Sequence, residues 1–476
     1  MKTCFTWLIL IFIVVGTVHA QTGPSFDNYF MDKTLRLDYF HTGTYDQEVY
    51  SCDEIYEEHV WAGSKTNLLD TLNLGNYLFK VYDVKTNQLL FSRGFCSIFG
   101  EWQTTAEARK KVRRTFSESV RFPWPKRSVK LTIAIRDRDN LFQDRWDYVI
   151  DPTDPNIRKA VYFPDAKVTK LVSSGDSHDK VDLVILPDGY TSSEMGKFQR
   201  DARRLLSVLL DASPFKAHEK DFNVWTVEIS SSQSGIDDPR MGKYLDNVLS
   251  CSFNAFGSDR YILTWDNKIV RKAASRVPYD FIYILINEKK YGGGGIFNVY
   301  ATCTADNMWS NYVFVHEFGH SFAGLADEYY TSDVAYDNFY SAGVEPWEPN
   351  ITAQTNKNFI KWQGMIAPDT PIPTPWDKDI YDSHAQEYQS QRKQMIDQKL
   401  PQAQIDSVTA AYARWEQDFF KSRTYDGKVG LFEGAGYSSR GLYRPSIHCQ
   451  MFTRSMSGFD RVCQRAIENS IHFYTR

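Results

Sequence analysis

The hydrophobic period of this chain changes once, and the change divides it into two differently built parts. Over about 25–151, apolar and polar residues alternate in short runs such as Tyr77-Leu78-Phe79-Lys80-Val81-Tyr82 and Val129-Lys130-Leu131-Thr132-Ile133-Ala134-Ile135. Alternation at period two turns one face of each run to a core and one to water, which predicts antiparallel strands and, over this length, a β-sandwich. Asp151-Pro152-Thr153-Asp154-Pro155 is polar and rigid and ends that module. Beyond it, apolar strands over 181–186, 224–229 and 281–286 alternate with helical sequence near 192–210, the pattern of an α/β layer architecture. With 476 residues the chain is too long for one compact core. The expected fold class is therefore α+β and multidomain, an N-terminal antiparallel β-sandwich (21–160) followed by an α/β domain (161–476).

Within the second part, polar helical sequence over 384–423 is broken at Pro401, and Ile405, Val408, Tyr412, Trp415 and Phe419 recur at spacings of three and four. That spacing gives one apolar face and predicts a helical hairpin packed on the larger domain. Upstream, Gly292-Gly293-Gly294-Gly295 feeds Ile296-Phe297-Asn298-Val299-Tyr300, read as a short edge strand, ahead of a helix starting near Asn307 or Ser310.

Lys2, a largely apolar run over 5–15 and Val18-His19-Ala20 have the layout of a cleavable export signal over 1–20, with Gln21 as the mature start. The apolar run is well short of the roughly 20 residues that span a bilayer. The expected location is secreted, periplasmic or cell-surface, with no membrane span. Loss of Lys2 moves the formal charge from -4 to -5, which supplies no basic field for nucleic acid. Six of the seven cysteines lie beyond the leader. Nearness along the chain suggests Cys52 with Cys96, Cys251 with Cys303 and Cys449 with Cys463, free buried thiols being the alternative.

The chemistry concentrates at His316-Glu317-Phe318-Gly319-His320, which follows the apolar run Tyr312-Val313-Phe314-Val315. Helical positions four apart share a face, so both imidazoles can address one metal ion. Glu317 projects beside them, where a carboxylate can take a proton from a metal-activated water and pass it to a departing amine. A zinc that keeps one position open for water needs a third protein ligand. Gly324 is a natural helix stop, after which the chain can turn back and bring Asp327 or Glu328 to the metal. A metzincin would carry Gly at position 323 and His at position 326, and both are Ala here.

The stretch His316-Glu317-Phe318-Gly319-His320 with Gly324-Leu325-Ala326-Asp327-Glu328-Tyr329 resembles the bacterial IgA-cleaving metallopeptidase family. So do Leu186-Pro187-Asp188-Gly189-Tyr190-Thr191, Ser234-Gly235-Ile236-Asp237, Gly430-Leu431-Phe432-Glu433-Gly434-Ala435-Gly436-Tyr437 and Tyr443-Arg444-Pro445 through Cys449-Gln450-Met451. The resemblance spans about 165–476. It implies a zincin-like catalytic fold, one zinc per chain held by His316, His320 and Asp327, and extracellular cleavage of protein or glycoprotein substrates. The helical region 384–423 looks like an insertion relative to the family pattern, and the family name does not make IgA the substrate.

Several residues carry weaker expectations. Met451, or Met456 in its place, is a candidate apolar floor beneath the metal. Tyr329, Tyr437 and Tyr443 are candidate donors to an oxyanion, which needs one besides zinc. Asp237 reads as a turn cap, and Asn350-Ile351-Thr352 has glycosylation spacing. Two other readings compete with a peptidase: a binding or adhesion protein in which the sandwich does the work and the metal site is vestigial, and a zinc amidase acting on cell-wall peptides.

Overall fold

The computed structural model describes residues 23–475 except 160, 333, 335, 337, 338, 356–358 and 455–457. The leader-like stretch 1–20 and Met456 lie outside them. In the N-terminal part, Glu48–Glu58, Phe30–Gly43 and Arg114–Pro125 form a three-stranded antiparallel sheet in that order. Leu89–Phe95, Tyr77–Asp83, Val129–Arg136 and Phe142–Ile150 form a four-stranded one. Strand Tyr77–Asp83 alternates buried and half-buried residues without a break. Phe79 and Val81 share a core with Leu131 and Ile133 of the same sheet and with Leu35, Leu37 and Phe122 of the other, so the two sheets face each other across one apolar layer.

The second part is built on a six-stranded sheet in the order Gly293–Ile296, Tyr300–Thr304, Phe281–Ile286, Val181–Asp188, Phe222–Glu228 and Lys167–Val172. The inner four strands run parallel and each outer strand is antiparallel to its neighbour. Val181–Asp188 and Phe281–Ile286 are buried along their whole length, as continuous apolar runs in the middle of a two-sided sheet must be. On one face Leu183, Ile185, Tyr283 and Leu285 pack against helices Met195–Asp211, Ser310–Ala323 and Arg461–Thr475. On the other, Val184, Leu186, Ile282 and Ile284 meet helix Asn267–Ala274 and also Ile98, Phe99 and Trp102 from the N-terminal part. The alternating module thus supplies the lid of the second core, a tertiary contact that no local pattern announces.

The glycine run differs from expectation. Gly293–Ile296 is itself the edge strand, while Phe297, Asn298 and Val299 form the turn into Tyr300–Thr304, with Asn298 at φ 56° and the Val299 N–H donating to Ile296 O. The helical hairpin comprises Lys378–Asp397 and Gln402–Lys421, with Pro401 capping the second helix. Tyr381, Ala385, Phe419 and Phe420 join the core that holds helix Ser310–Ala323.

Among the described residues no helix is long and apolar enough to cross a membrane, and the six cysteines are free thiols. Cys251 and Cys303 sit in cores on opposite faces of the six-stranded sheet, which rules out that pairing.

Candidate functional site

Helix Ser310–Ala323 is buried nearly all round, because it is covered by the sheet on one side and by the C-terminal helix and loops on the other. Gly324, at φ 60°, ends it: its N–H returns to His320 O and that of Leu325 to Gly319 O. The reversed chain is then clamped by Asn350, whose Oδ1 accepts from Ala326 N at 2.8 Å and whose Nδ2 donates to Ala326 O at 3.0 Å. Asn350 is fully buried in this role, so the glycosylation spacing at Asn350-Ile351-Thr352 marks a structural residue.

That clamp delivers Asp327 to the histidines. Its Oδ1 lies 3.0 Å from His316 Nε2 and 3.2 Å from His320 Nε2, and the two nitrogens are 3.1 Å apart. His316 Nδ1 faces the Gln450 carbonyl and the Tyr312 hydroxyl, each at 3.1 Å, and His320 Nδ1 faces the Leu325 carbonyl at 2.6 Å. A carbonyl only accepts, so each Nδ1 carries the proton and each Nε2 offers a lone pair. Two lone pairs and a carboxylate oxygen converging at this spacing suit a cation. The edge of a tetrahedron with bonds of roughly 2.0–2.1 Å is about 3.3 Å, close to all three separations. Glu328, the alternative third ligand, points away into a different cluster.

Without a cation the charges settle among these groups. Burial would push the Asp327 carboxyl up, but the two imidazoles hold it well below the usual carboxylate range. Burial works against protonation of His320, yet Asp327 outweighs it and raises the imidazole to about 9. The Glu317 carboxyl is pushed up by burial, opposed by His316 and His320. One Glu317 carboxylate oxygen and a ring nitrogen of each histidine lie within 4.8 Å of one another.

The three residues open on a cleft of about 880 Å³, reaching to its mouth, with Arg260, Tyr329 and Glu101 among its walls. Tyr437 takes a different part from the one expected of it: its hydroxyl donates to Asp327 Oδ2 at 2.6 Å and so orients the carboxylate. It rides on the turn between strands Phe432–Ala435 and Ser438–Arg444, where Gly436 N bonds to Asp327 O and Tyr437 N to Tyr329 O, each at 3.0 Å. Tyr329 keeps its hydroxyl in the cleft, accepting from Arg260 Nη2 at 3.0 Å. Tyr443 lies away from the cleft, paired across that hairpin with Glu433. Met451 is fully buried against helix Ser310–Ala323, where a Cβ on Gly319 would lie 3.1 Å from its Sδ. Asp237 caps a turn, accepting from Leu245 N at 2.6 Å. Asp188 of the Leu-Pro-Asp-Gly-Tyr stretch is likewise structural, accepting from Leu249 N and Cys251 N at 3.0 Å and from Asn247 Nδ2 at 2.7 Å.

Arg260, Tyr312 and Glu101 escaped the sequence reading. Tyr312 stands four residues before His316, a spacing that could have flagged it. Glu101 comes from helix Ile98–Gln103 of the N-terminal part and bonds the Tyr261 hydroxyl at 2.5 Å. Burial pushes its carboxyl up to about 7.

The edge strand borders the same cleft. At Gly293 its outer side is already paired, N–H to Arg260 O at 3.2 Å and carbonyl to Ile262 N at 3.1 Å, and Phe297 O accepts from Cys96 N at 3.0 Å. Alternation along the strand leaves Gly295 between them with its amide and carbonyl turned outward. A Cβ on Gly295 would press into the Glu317 carbonyl oxygen and lie 3.0 Å from His320 Cβ. Gly295→Ala should therefore destabilise the fold by about 1–3 kcal/mol in denaturant unfolding, and a midpoint equal to wild type would mean that strand and helix are not in such close contact.

A family model described as IgA Peptidase M64 matches residues 169–471, and one described as Peptidase M64 N-terminus matches residues 25–147. Compared with curated proteins, the chain shows no match.

Proposed function

Because the chain belongs to the IgA peptidase M64 family, a family of metallopeptidases, we propose that it is an exported, zinc-dependent endopeptidase of zincin-like architecture that cuts protein or glycoprotein substrates, IgA being one candidate. The observation that carries this reading is the convergence of His316 Nε2, His320 Nε2 and Asp327 Oδ1 at 3.0–3.2 Å beside the Glu317 carboxylate. Two imidazoles and one carboxylate are a donor set suited to zinc with a position left open. When bound there, zinc supplies Lewis acidity to a water and to the scissile carbonyl.

The chain's own residues do the rest. Gln450 O, Tyr312 and Leu325 O hold the imidazoles in the one tautomer that presents Nε2, and Tyr437 holds Asp327. Glu317 accepts the proton of the attacking water and returns it to the leaving amine, the one group on this face that zinc binding does not use. Tyr329 accepts from Arg260 and shares a hydrogen bond with Asp327, and turning its hydroxyl hydrogen from that carboxylate to the developing oxyanion supplies the donor the oxyanion needs. An extended substrate can pair with the amide and carbonyl of Gly295, which sets its backbone across the cleft. The N-terminal domain, proposed over 21–160, shapes the far wall through Glu101, so substrate selection is shared between the two parts. Export rests on the leader-like residues 1–20.

The test is incubation of the zinc-loaded protein with secreted glycoproteins, IgA among them, with and without chelator, followed by sequencing of new termini. Chelator-sensitive internal cuts in at least one protein are expected. Metal-loaded protein that cuts none of them but releases amide-linked fragments from cell-wall peptides would replace endopeptidase by amidase.

A further inference from the structure

Glu328 follows Asp327 in the chain and turns the other way, into a closed cluster behind the cleft. It is fully buried together with the Cys449 and Cys463 thiols, and Asp460 completes the group. One donor atom from each of the four lies within 4.8 Å of every other. We infer that Cys449, Cys463, Glu328 and Asp460 bind a second zinc ion with a structural role, separate from the metal of the cleft.

The distances separate a metal site from a disulfide. Cys449 Sγ and Cys463 Sγ are 3.8 Å apart, far beyond the roughly 2.05 Å of an S–S bond. It equals the edge, about 3.8 Å, of a tetrahedron with zinc–sulfur bonds of about 2.3 Å. Cys463 Sγ stands 3.3 Å from Glu328 Oε1, near the edge of about 3.5 Å that one sulfur and one oxygen ligand would share.

The surroundings point the same way. Cys449 Sγ accepts the backbone N–H groups of Met451 at 3.4 Å and Asp460 at 3.5 Å, donors that stabilise a thiolate. Glu328 Oε2 and Asp460 Oδ2 are buried and accept no hydrogen bond among the described residues, an expensive state for two neighbouring carboxylates unless a cation joins them. Their other oxygens are held by donors, Glu328 Oε1 keeping the lone pair that faces Cys463 Sγ. Glu328 Oε1 accepts from Asn350 Nδ2 at 2.9 Å, and Asp460 Oδ1 accepts from Val462 N and Cys463 N at 2.7 and 3.1 Å. If all four groups are ionised they carry four negative charges; zinc brings two positive ones and the buried Arg444, which acts on Glu328 and Cys449, brings a third. Two thiolates with two carboxylates favour zinc over calcium or magnesium, which seek oxygen alone.

Such an ion would tie together what the cleft hangs on. Glu328 adjoins Asp327, Cys449 adjoins the Gln450 carbonyl that fixes His316, and Cys463 opens the C-terminal helix Arg461–Thr475. Asn350 spans both, bonding the Asp327 loop and Glu328.

Metal analysis of the full-length protein should find two zinc ions per chain, falling to one in His320→Ala and to one in Cys449→Ser/Cys463→Ser. Should the double variant not fold, cobalt-loaded wild type and His320→Ala decide. Both should show a thiolate-to-cobalt charge-transfer band, since the cleft set contains no sulfur. Absence of that band in metal-saturated wild type overturns the proposal, as does an intact mass short by two hydrogens with a peptide map joining Cys449 to Cys463.

Discussion

Replacing Glu317 by glutamine should lower kcat/KM for peptide hydrolysis by about 10²- to 10⁴-fold while zinc content and unfolding temperature stay near wild type. Glutamine keeps the shape and most of the packing but cannot accept the proton of the attacking water. The residue is half-buried on the helix that carries both histidines, with its carboxylate within 4.8 Å of their ring nitrogens. If Glu317→Gln, with its metal retained, cleaves as fast as wild type, the general base lies elsewhere.

Asp327→Ala should lose the cleft metal and with it nearly all activity. Removing an outer partner of a metal ligand typically costs about 10- to 100-fold in affinity, and Asp327 supplies an oxygen 3.0 and 3.2 Å from the two imidazole nitrogens, so the loss should exceed that range. The variant also strands the Tyr437 hydroxyl, whose partner is Asp327 Oδ2. Metal content measured at fixed free zinc gives the answer. Wild-type affinity in Asp327→Ala would transfer the third-ligand role to another residue.

How much of this was readable from sequence depended on range. His316 and His320 were legible because a spacing of four on an apolar helix fixes their shared face before any tertiary contact forms. Asp327 was legible only as one of two neighbours, since Gly324 announces the reversal of the chain but not which carboxylate swings to which side. Asn350, 24 residues from Ala326 and tied to both of its backbone groups, makes that choice. The edge strand was misplaced because four glycines carry no hydrophobic pattern. Three of them, Gly293 to Gly295, form the strand with Ile296, since only a chain without Cβ atoms at Gly293 and Gly295 can lie so close to Glu317 and His320. Glu101 was out of reach, since it meets Tyr261 across 160 residues. The pairing proposed for Cys251 and Cys303 failed because nearness along the chain says nothing about which face of a sheet a side chain takes. The mixed α and β composition, by contrast, followed from the one change of period, with the strand over 281–286 found as Phe281–Ile286.

The proposed activity is hydrolysis of peptide bonds in this cleft with a metal held by His316, His320 and Asp327. Its most direct test is a peptide library derived from a whole proteome, incubated with wild type, with wild type plus chelator and with His320→Ala, each at known metal content, and read by mass spectrometry of new termini. Wild type should give internal cuts that vanish with chelator and in His320→Ala. Wild type shown to carry zinc on His316 and His320, yet leaving the library uncut, would contradict it.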